Sequence, residues 1–348
     1  MRESKPWPWL KLAKVAPRQH LIHHPSSNFL PGPLNVIEWM RPAVATCFLA
    51  YVGMVRARLL GDAKAWYGTS PSPTSAPQRK PVMWLHVHKS AGTTICAGAQ
   101  QRERVVQPSH FCASDDFGDW SVPGEIFENY VAYRGNTCAD RISMFGDNFT
   151  WNSIERQLED GDLCFDNFVY ATILRETISR IESQINFQGP YNYKDMIWCL
   201  ENAITTPKND TDCFNALINP IGYKGYNVAA HSFVFLDNYL VRLLGGSETM
   251  LLRPGGVNAV HFMKAVRVLS RFDLVLPYEE LNSHRGHAAL LHTLGWQPEA
   301  QLKFRANAHD SKLTEEEIQS LRSLNAFDIM LYDLFAVKYH HAMSAKGE

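Results

Sequence analysis

The stretch VMWLHVHKSAGTT, residues 82–94, decides which fold this sequence predicts. Its first six residues are apolar apart from one histidine, and a short apolar run of this kind predicts a buried β-strand. The remaining residues place one lysine before three small residues and two threonines. Small residues let the backbone turn tightly, so that successive N–H groups can point at an anion. The stretch therefore predicts a strand, an anion-binding turn and the start of a helix.

A second stretch, residues 168–174 (FVYATIL), has the same plan. Arg175 follows it directly, and its guanidinium is a fork of N–H donors that matches phosphate oxygens. Ser183 lies two helical turns further on, roughly 12 Å along the helix axis. Two such strand–turn–helix units predict an α/β fold with a central parallel sheet flanked by helices. Phosphate groups bind where the strands of such a sheet lead into helices.

The candidate anion-binding residues come from both stretches and are Lys89, Ser90, Ala91, Gly92, Thr93, Thr94, Arg175 and Ser183. The lysine precedes the glycine, whereas in the ordinary nucleotide-triphosphate motif it follows the second glycine. The second stretch also lacks the aspartate that helps such enzymes to hold magnesium. The sequence therefore predicts a phosphate site of a different kind, without a metal ion.

Residues 88–94 resemble the 5′-phosphosulfate loop of sulfotransferases, above all of the Golgi enzymes that sulfate carbohydrates. Residues 174–180 with Ser183 resemble the 3′-phosphate motif of that family, in which an arginine and a serine eight positions later hold the 3′-phosphate. The resemblance covers residues 80–341. It implies a P-loop NTPase-like sheet. It also implies 3′-phosphoadenosine 5′-phosphosulfate (PAPS) as the co-substrate, with transfer of the sulfuryl group to a carbohydrate hydroxyl.

Two positions depart from the usual family pattern, but neither removes a phosphate donor. Glu176 stands where aspartate is usual, and Thr177 where proline is frequent. Weaker matches follow further along the chain: an Asn-x-x-x-Arg helix with Asn238 and Arg242, a strand at residues 272–277, a helix ending near Gly295, and a capping box of Thr314 and Glu317.

The resemblance also implies a role for each site residue. Lys89 would contact the bridging oxygen on which negative charge develops. The 5′-phosphate would be held by residues 90–94, and the 3′-phosphate by Arg175 and Ser183. Because a sulfuryl group carries less charge than a terminal phosphoryl group, backbone donors and a lysine could suffice without magnesium.

A general base must accept the proton of the acceptor hydroxyl. Carbohydrate sulfotransferases of this type often carry Gly-His after a middle strand, and residues 141–146 predict that strand here, with Asp147 in place of the histidine. Asp147 directly precedes the glycosylation sequon at Asn148, where a glycan would crowd an active site. His110 is the second candidate, and a further residue remains open.

Composition limits the functions that are open to the chain. Its 348 residues, 45% of them hydrophobic, suffice for a full-sized core. The formal net charge of −1 gives no support for a nucleic-acid partner. Two alternatives to a sulfotransferase remain: a nucleotide or small-molecule kinase on a P-loop scaffold, and a non-catalytic nucleotide-binding relative.

The N-terminal part of the chain differs from the rest. Residues 1–42 form a basic tail, residues 43–60 begin with 13 largely apolar residues, residues 61–80 form a Pro/Ser-rich stem, and residues 81–345 form the sulfotransferase domain. This order is typical of a type II Golgi membrane protein with a lumenal catalytic domain. The apolar run is shorter than the ~17–25 residues that span a bilayer. The candidate anchor could therefore instead be an amphipathic or buried helix. Correspondingly, the alternative to a Golgi location is a cytoplasmic one.

Seven cysteines indicate disulfide bonds and an oxidising compartment. Cys199 and Cys213 flank a polar insert that holds a second glycosylation sequon at Asn209, and a bridge there would close a loop of about 15 residues. Cys96 is expected to be a buried free thiol. A second bridge could come from Cys112, Cys138 and Cys164. The alternative is a cytosolic enzyme in which all seven cysteines are reduced.

Overall fold

Five parallel strands form the central sheet: β1 (Val82–Leu85), β2 (Ala113–Asp115), β3 (Trp151–Ile154), β4 (Val169–Leu174) and β5 (Leu274–Pro277), in the order β2-β3-β1-β4-β5. The computed structural model describes residues 79–105, 113–115, 137–139, 142, 149–154, 157–158, 160–188, 197, 200–201, 232–250, 252–297, 302 and 313–344. All of them belong to the second of the two units into which the chain divides, Asn35–Glu348.

The helices of the described residues connect and cover these strands. They are α1 (Gly92–Arg102), α2 (Thr177–Gln188), α3 (Tyr239–Gly245), α4 (Ser247–Met250), α5 (Ala259–Leu269), α6 (His284–Leu294), α7 (Glu315–Leu324) and α8 (Ala326–Ser344). The predicted α/β architecture with a central parallel sheet and flanking helices is therefore confirmed.

The central strand β1 is buried on both faces, which explains its continuous apolar sequence. Its four side chains are at most 2% exposed. Successive strand residues point to opposite faces, and Met83 and Leu85 pack in one core with α2, α3, α5 and α7. Val82 and Trp84 pack in the other core, with α1 and α6. Helices thus bury both faces of the sheet, and only the ends of the strands remain for a site.

The strand predictions hold to within two residues wherever the sequence is apolar. Residues 82–87, 168–174 and 272–277 correspond to β1, β4 and β5, each one or two residues shorter than predicted. The predicted capping box is also present: the Thr314 hydroxyl accepts from the Glu317 amide, and the Glu317 carboxylate accepts from the Thr314 amide.

Of the predicted strand at residues 141–146 the structure describes only Ile142, and this residue is helical. The strand that pairs with β1 on this side is β3, Trp151–Ile154. The polar residues Asn152 and Ser153 occupy its centre and are at most 1% exposed. This strand is buried without being apolar, so that its sequence lacks the usual pattern.

One of the cysteine predictions is confirmed and one is wrong. Cys138 and Cys164 form a disulfide bond across 26 positions of sequence. Cys96 is disulfide-bonded as well, and is therefore not a free thiol. The predicted bridge between Cys199 and Cys213 lies outside the described residues, as does Cys112.

Candidate functional site

The register of the sheet brings the loops after three strands to the same place. Leu85 at the end of β1 pairs with Thr172, two residues before the end of β4. Leu174, the last residue of β4, pairs with Pro277, the last residue of β5. All of these strands are parallel, so that the loops that follow them leave from one edge of the sheet. The residues after β1, β4 and β5 therefore lie side by side.

The loop between β1 and α1 has the backbone of an anion-binding turn. Lys89 and Ala91 both adopt left-handed conformations, with φ of 64°, on either side of Ser90. Such residues are strained by about 1–3 kcal/mol each, and this strain is typical of functional turns. Within the described part of the chain, the amides of Ala91, Gly92 and Thr93 donate to no acceptor. Three N–H groups at the positive end of a helix are thus available to an anion.

Position 92 requires glycine because the side chain of His86 lies too close to leave room for a Cβ atom. A Cβ at this position would lie 1.7 Å from Nε2 of His86. The His86 ring is 4% exposed and stacks with the ring of His88, which contacts Phe235 edge-on at 4.9 Å between ring centres. The two histidines therefore pack beneath the turn and support its shape, as expected of structural residues.

Arg175 lies against the turn. Its Nη1 donates a hydrogen bond to the carbonyl oxygen of Lys89 at 3.2 Å. Its guanidinium carbon also lies 4.8 Å from the ring centre of Tyr278, the first residue after β5. Among the described residues no carboxylate lies within ion-pair distance of this guanidinium. The structure thus brings together Lys89 and Arg175, 86 positions apart in sequence.

The electrostatics of this pair favour a bound anion. Burial lowers the pKa of Lys89, and the neighbouring charge of Arg175 lowers it further. Both effects destabilise the ammonium form, and an anion between the two cations would reverse the second of them. Thr93, which is exposed, and the half-buried Thr94 follow in the first turn of α1.

The start of α2 is already capped by its own sequence. The Glu176 carboxylate accepts hydrogen bonds from the amides of Ile178 and Ser179, at 3.1 and 2.8 Å. These amides are therefore not available to a phosphate group. Ser183 is half-buried two turns along α2. At this end of the site the side chains of Arg175 and Ser183 are the predicted donors, and neither is an amide that Glu176 caps.

The two candidate bases, Asp147 and His110, lie outside the described residues. The position of β3 nevertheless bears on Asp147. Asp147 precedes β3, the strand next to β1, whereas the histidine of the Gly-His pattern follows that strand. The residue that follows Ile154 in the sequence is Glu155, which is also outside the described residues.

The weaker motif with Asn238 and Arg242 belongs to the interior of the protein. Arg242 forms an ion pair with Asp237 in which both side chains are fully buried. The Asn238 amide group donates to Leu324 and its oxygen accepts from the amide of Asp328, so that it joins α3 to the start of α8. These residues hold helices together rather than lining the phosphate turn.

Sequence reasoning missed two residues around Arg175. Tyr278 could have been found as an aromatic residue directly after a predicted strand. Arg180 is fully buried on α2, where its Nη2 donates to the carbonyl of Phe235 and its guanidinium lies 4.8 Å from the Tyr239 ring centre. No sequence signal marks an arginine as buried.

Two features are absent from the described residues, a metal-binding cluster and a membrane-spanning helix. They contain no group of three or more His, Cys, Asp or Glu side chains that could hold a metal ion. None of the helices among them is both long and apolar enough to cross a membrane, and the candidate anchor, residues 43–60, is not described.

Fold and site together define an α/β protein in which two cationic loops meet at the carboxyl edge of a parallel sheet. The family model of galactose-3-O-sulfotransferase matches residues 50–348. The chain belongs to this family of Golgi carbohydrate sulfotransferases, which confirms the family expected from the two phosphate motifs. No curated protein matches the chain.

Proposed function

We propose that the protein transfers the sulfuryl group of PAPS to a hydroxyl of a carbohydrate. The observation that carries this proposal is the contact between the Lys89 turn and the Arg175 guanidinium. Two phosphate groups on one adenosine need two cationic donor sets within the length of a nucleotide, on the same edge of a sheet. A P-loop NTPase-like placement of the nucleotide, over the loops after β1 and β4, agrees with the strand order.

The residues present fit such a nucleotide. The amides of residues 91–93 and the hydroxyls of Thr93 and Thr94 would hold the 5′-phosphate, and Arg175 and Ser183 the 3′-phosphate. The close contact between Gly92 and His86 keeps this turn in shape. Holding the nucleotide at both ends fixes the reacting group before the reaction begins.

Lys89 would stabilise the negative charge that develops on the departing nucleotide. PAPS supplies a sulfuryl group whose bond to the 5′-phosphate oxygen breaks as a bond to the acceptor oxygen forms. Lys89 is held beside that phosphate by a strained, left-handed backbone. Its ammonium group is partly removed from water, so that its electrostatic effect is greater than at an exposed site.

The acceptor proton would pass to a carboxylate or an imidazole. Asp147 and His110 remain candidates for this general base, and no metal ion is proposed. Glu155 is a third candidate, and its sequence position directly after β3 favours it over Asp147.

The family name indicates a galactose 3-hydroxyl as the acceptor. The polar region between α2 and α3, residues 189–231, is the part of the chain most suited to shape the acceptor site. We further propose a type II protein of the Golgi membrane, with residues 43–60 as anchor, a stem at residues 61–80 and a glycosylated domain at residues 81–345 in the lumen.

The direct test is transfer of radiolabelled sulfate from PAPS to a β-galactoside by the purified protein. The matched acceptor control is the same galactoside with its 3-hydroxyl methylated, which should remain unlabelled. Lys89→Met should abolish labelling, while Lys80→Met, which removes an exposed lysine before β1, should retain it.

Other outcomes of this assay would contradict the proposal. Magnesium-dependent transfer of phosphate from ATP to a small molecule would identify a kinase. Tight binding of adenosine 3′,5′-bisphosphate without transfer to any member of a glycan panel would identify a non-catalytic relative.

A further inference from the structure

Arg175 is held on two sides by neighbouring loops. On one side its Nη1 donates to the Lys89 carbonyl at 3.2 Å. On the other side its guanidinium carbon lies 4.8 Å from the centre of the Tyr278 ring. The register explains this contact, because Leu174 pairs with Pro277 and the next residues along the two strands are Arg175 and Tyr278.

The carboxylates near Arg175 are bound to other donors. Glu176 accepts from two amides in the first turn of α2. Glu279, which follows Tyr278, accepts from the Glu176 amide at 3.2 Å and from the Tyr332 hydroxyl at 2.6 Å. Arg175 itself forms no ion pair with any residue that the structure describes. Within this part of the chain its positive charge is therefore not neutralised by a carboxylate.

An aromatic ring differs from a carboxylate in how it holds a guanidinium. A carboxylate binds two N–H donors of the fork and cancels the charge. A ring attracts the cation through its face and leaves the N–H donors at the edge of the group unused. Tyr278 can therefore fix the orientation of Arg175 while the donors and the charge remain available for a phosphate group.

The loop that carries Tyr278 is itself anchored. The Glu279 carboxylate accepts hydrogen bonds from the backbone amide of Glu176, directly before α2, and from the Tyr332 hydroxyl on α8. The residue next to Tyr278 is thus attached to the loop before α2 and to α8, and Tyr278 itself directly follows β5. A side chain held in this way loses little freedom when a ligand binds, and preorganisation of this kind increases affinity.

We propose that Tyr278 is a positioning residue that sets the preference of this site for nucleotides with a 3′-phosphate. The inference rests on the proposed function, in which Arg175 binds that phosphate. Tyr278 acts through Arg175 and need not touch the nucleotide. Removing its ring should weaken binding of a nucleotide that has a 3′-phosphate and leave binding of one that lacks it unchanged.

The experiment compares dissociation constants for adenosine 3′,5′-bisphosphate and for adenosine 5′-monophosphate, measured by calorimetry on the full chain. Tyr278→Leu and Tyr278→Met both remove the ring, and either one suffices if the other does not fold. Tyr278→Phe keeps the ring and is the matched control. We expect the preference for the bisphosphate to fall about fivefold to tenfold in the first two variants and to persist in the third.

The outcomes separate this inference from the proposed function. Equal affinity of the unaltered protein for both nucleotides would overturn the assignment of Arg175, and the inference with it. A clear preference in the unaltered protein that survives in Tyr278→Leu and Tyr278→Met would overturn the inference alone. Loss of the preference in all three variants would show that the ring is not what positions Arg175.

Discussion

Replacing Gly92 with alanine should destabilise the protein because the new Cβ would overlap with the ring of His86. The new Cβ would lie 1.7 Å from Nε2 and 2.0 Å from Cδ2 of that ring. Carbon atoms in van der Waals contact are about 3.5–4.0 Å apart, so the ring would have to move by about 2 Å. It is buried and stacked against His88, and cannot do so without displacing the turn.

The expected decrease in the free energy of unfolding follows from two opposing effects. Overpacking of a buried site costs about 1–3 kcal/mol, and the size of this overlap places Gly92→Ala near the upper end. Alanine in place of glycine stabilises a helix by up to about 1 kcal/mol. The net loss is therefore about 2 kcal/mol, or a fall in melting temperature of about 3 °C for a protein of this size.

A double-mutant cycle with His86→Ala is the decisive assay, because it removes the ring that the new Cβ would meet. Urea unfolding of the four proteins gives the coupling energy between the two sites. In the His86→Ala background, Gly92→Ala should be neutral or stabilising by up to about 1 kcal/mol, which gives a coupling energy of about 2–3 kcal/mol. An equal loss from Gly92→Ala in both backgrounds would refute the reasoning.

Three further predictions concern the base and the interior. Glu155→Gln should lower kcat for sulfuryl transfer by about 10²–10⁴ with nucleotide affinity unchanged, and a larger effect of Asp147→Asn or His110→Ala would reverse the order of the base candidates. Arg242→Met should reduce the free energy of unfolding by about 3–5 kcal/mol, because it leaves a fully buried carboxylate unpaired; urea unfolding that is unchanged would contradict this. Burial raises the pKa of Asp328 to about 6 from the ordinary 3.8. The folded protein then binds this proton more tightly than the unfolded chain, so that the contribution of Asp328 to the free energy of unfolding falls as the pH rises from about 4 to 6. Asp328→Asn should make the free energy of unfolding less dependent on pH in that range, and an unchanged dependence would contradict the raised pKa.

The parts of the fold that follow from local sequence were predictable. β1, β4 and β5 are apolar because both of their faces are buried, and such runs are visible without a structure. β3 was not predictable in the same way. Its central residues Asn152 and Ser153 are polar although they are buried, so neither an apolar run nor an alternating pattern marks the strand in the sequence.

The candidate site was predictable as a set of donors but not as an arrangement. The spacing of Lys89 and Arg175 from the ends of their strands indicated anion binding, but their contact depends on the offset between β1 and β4. The fixing of Arg175 by Tyr278 depends on the register of β5. Register is set by packing over the whole sheet, so neither contact could be derived from either stretch alone.

The central claim, that one adenosine bisphosphate bridges the Lys89 turn and Arg175, is tested most directly by calorimetry with three ligands. These are adenosine 3′,5′-bisphosphate, adenosine 5′-monophosphate and adenosine 3′-monophosphate. Lys89→Met should weaken only the ligands with a 5′-phosphate, and Arg175→Met only those with a 3′-phosphate. The matched controls are Lys80→Met and Arg267→Met, which remove exposed cations before β1 and in the last turn of α5. We expect one bisphosphate to bind per chain, with an affinity that both variants lower and neither control changes. A loss of affinity that does not depend on which phosphate group the ligand carries would contradict the central claim.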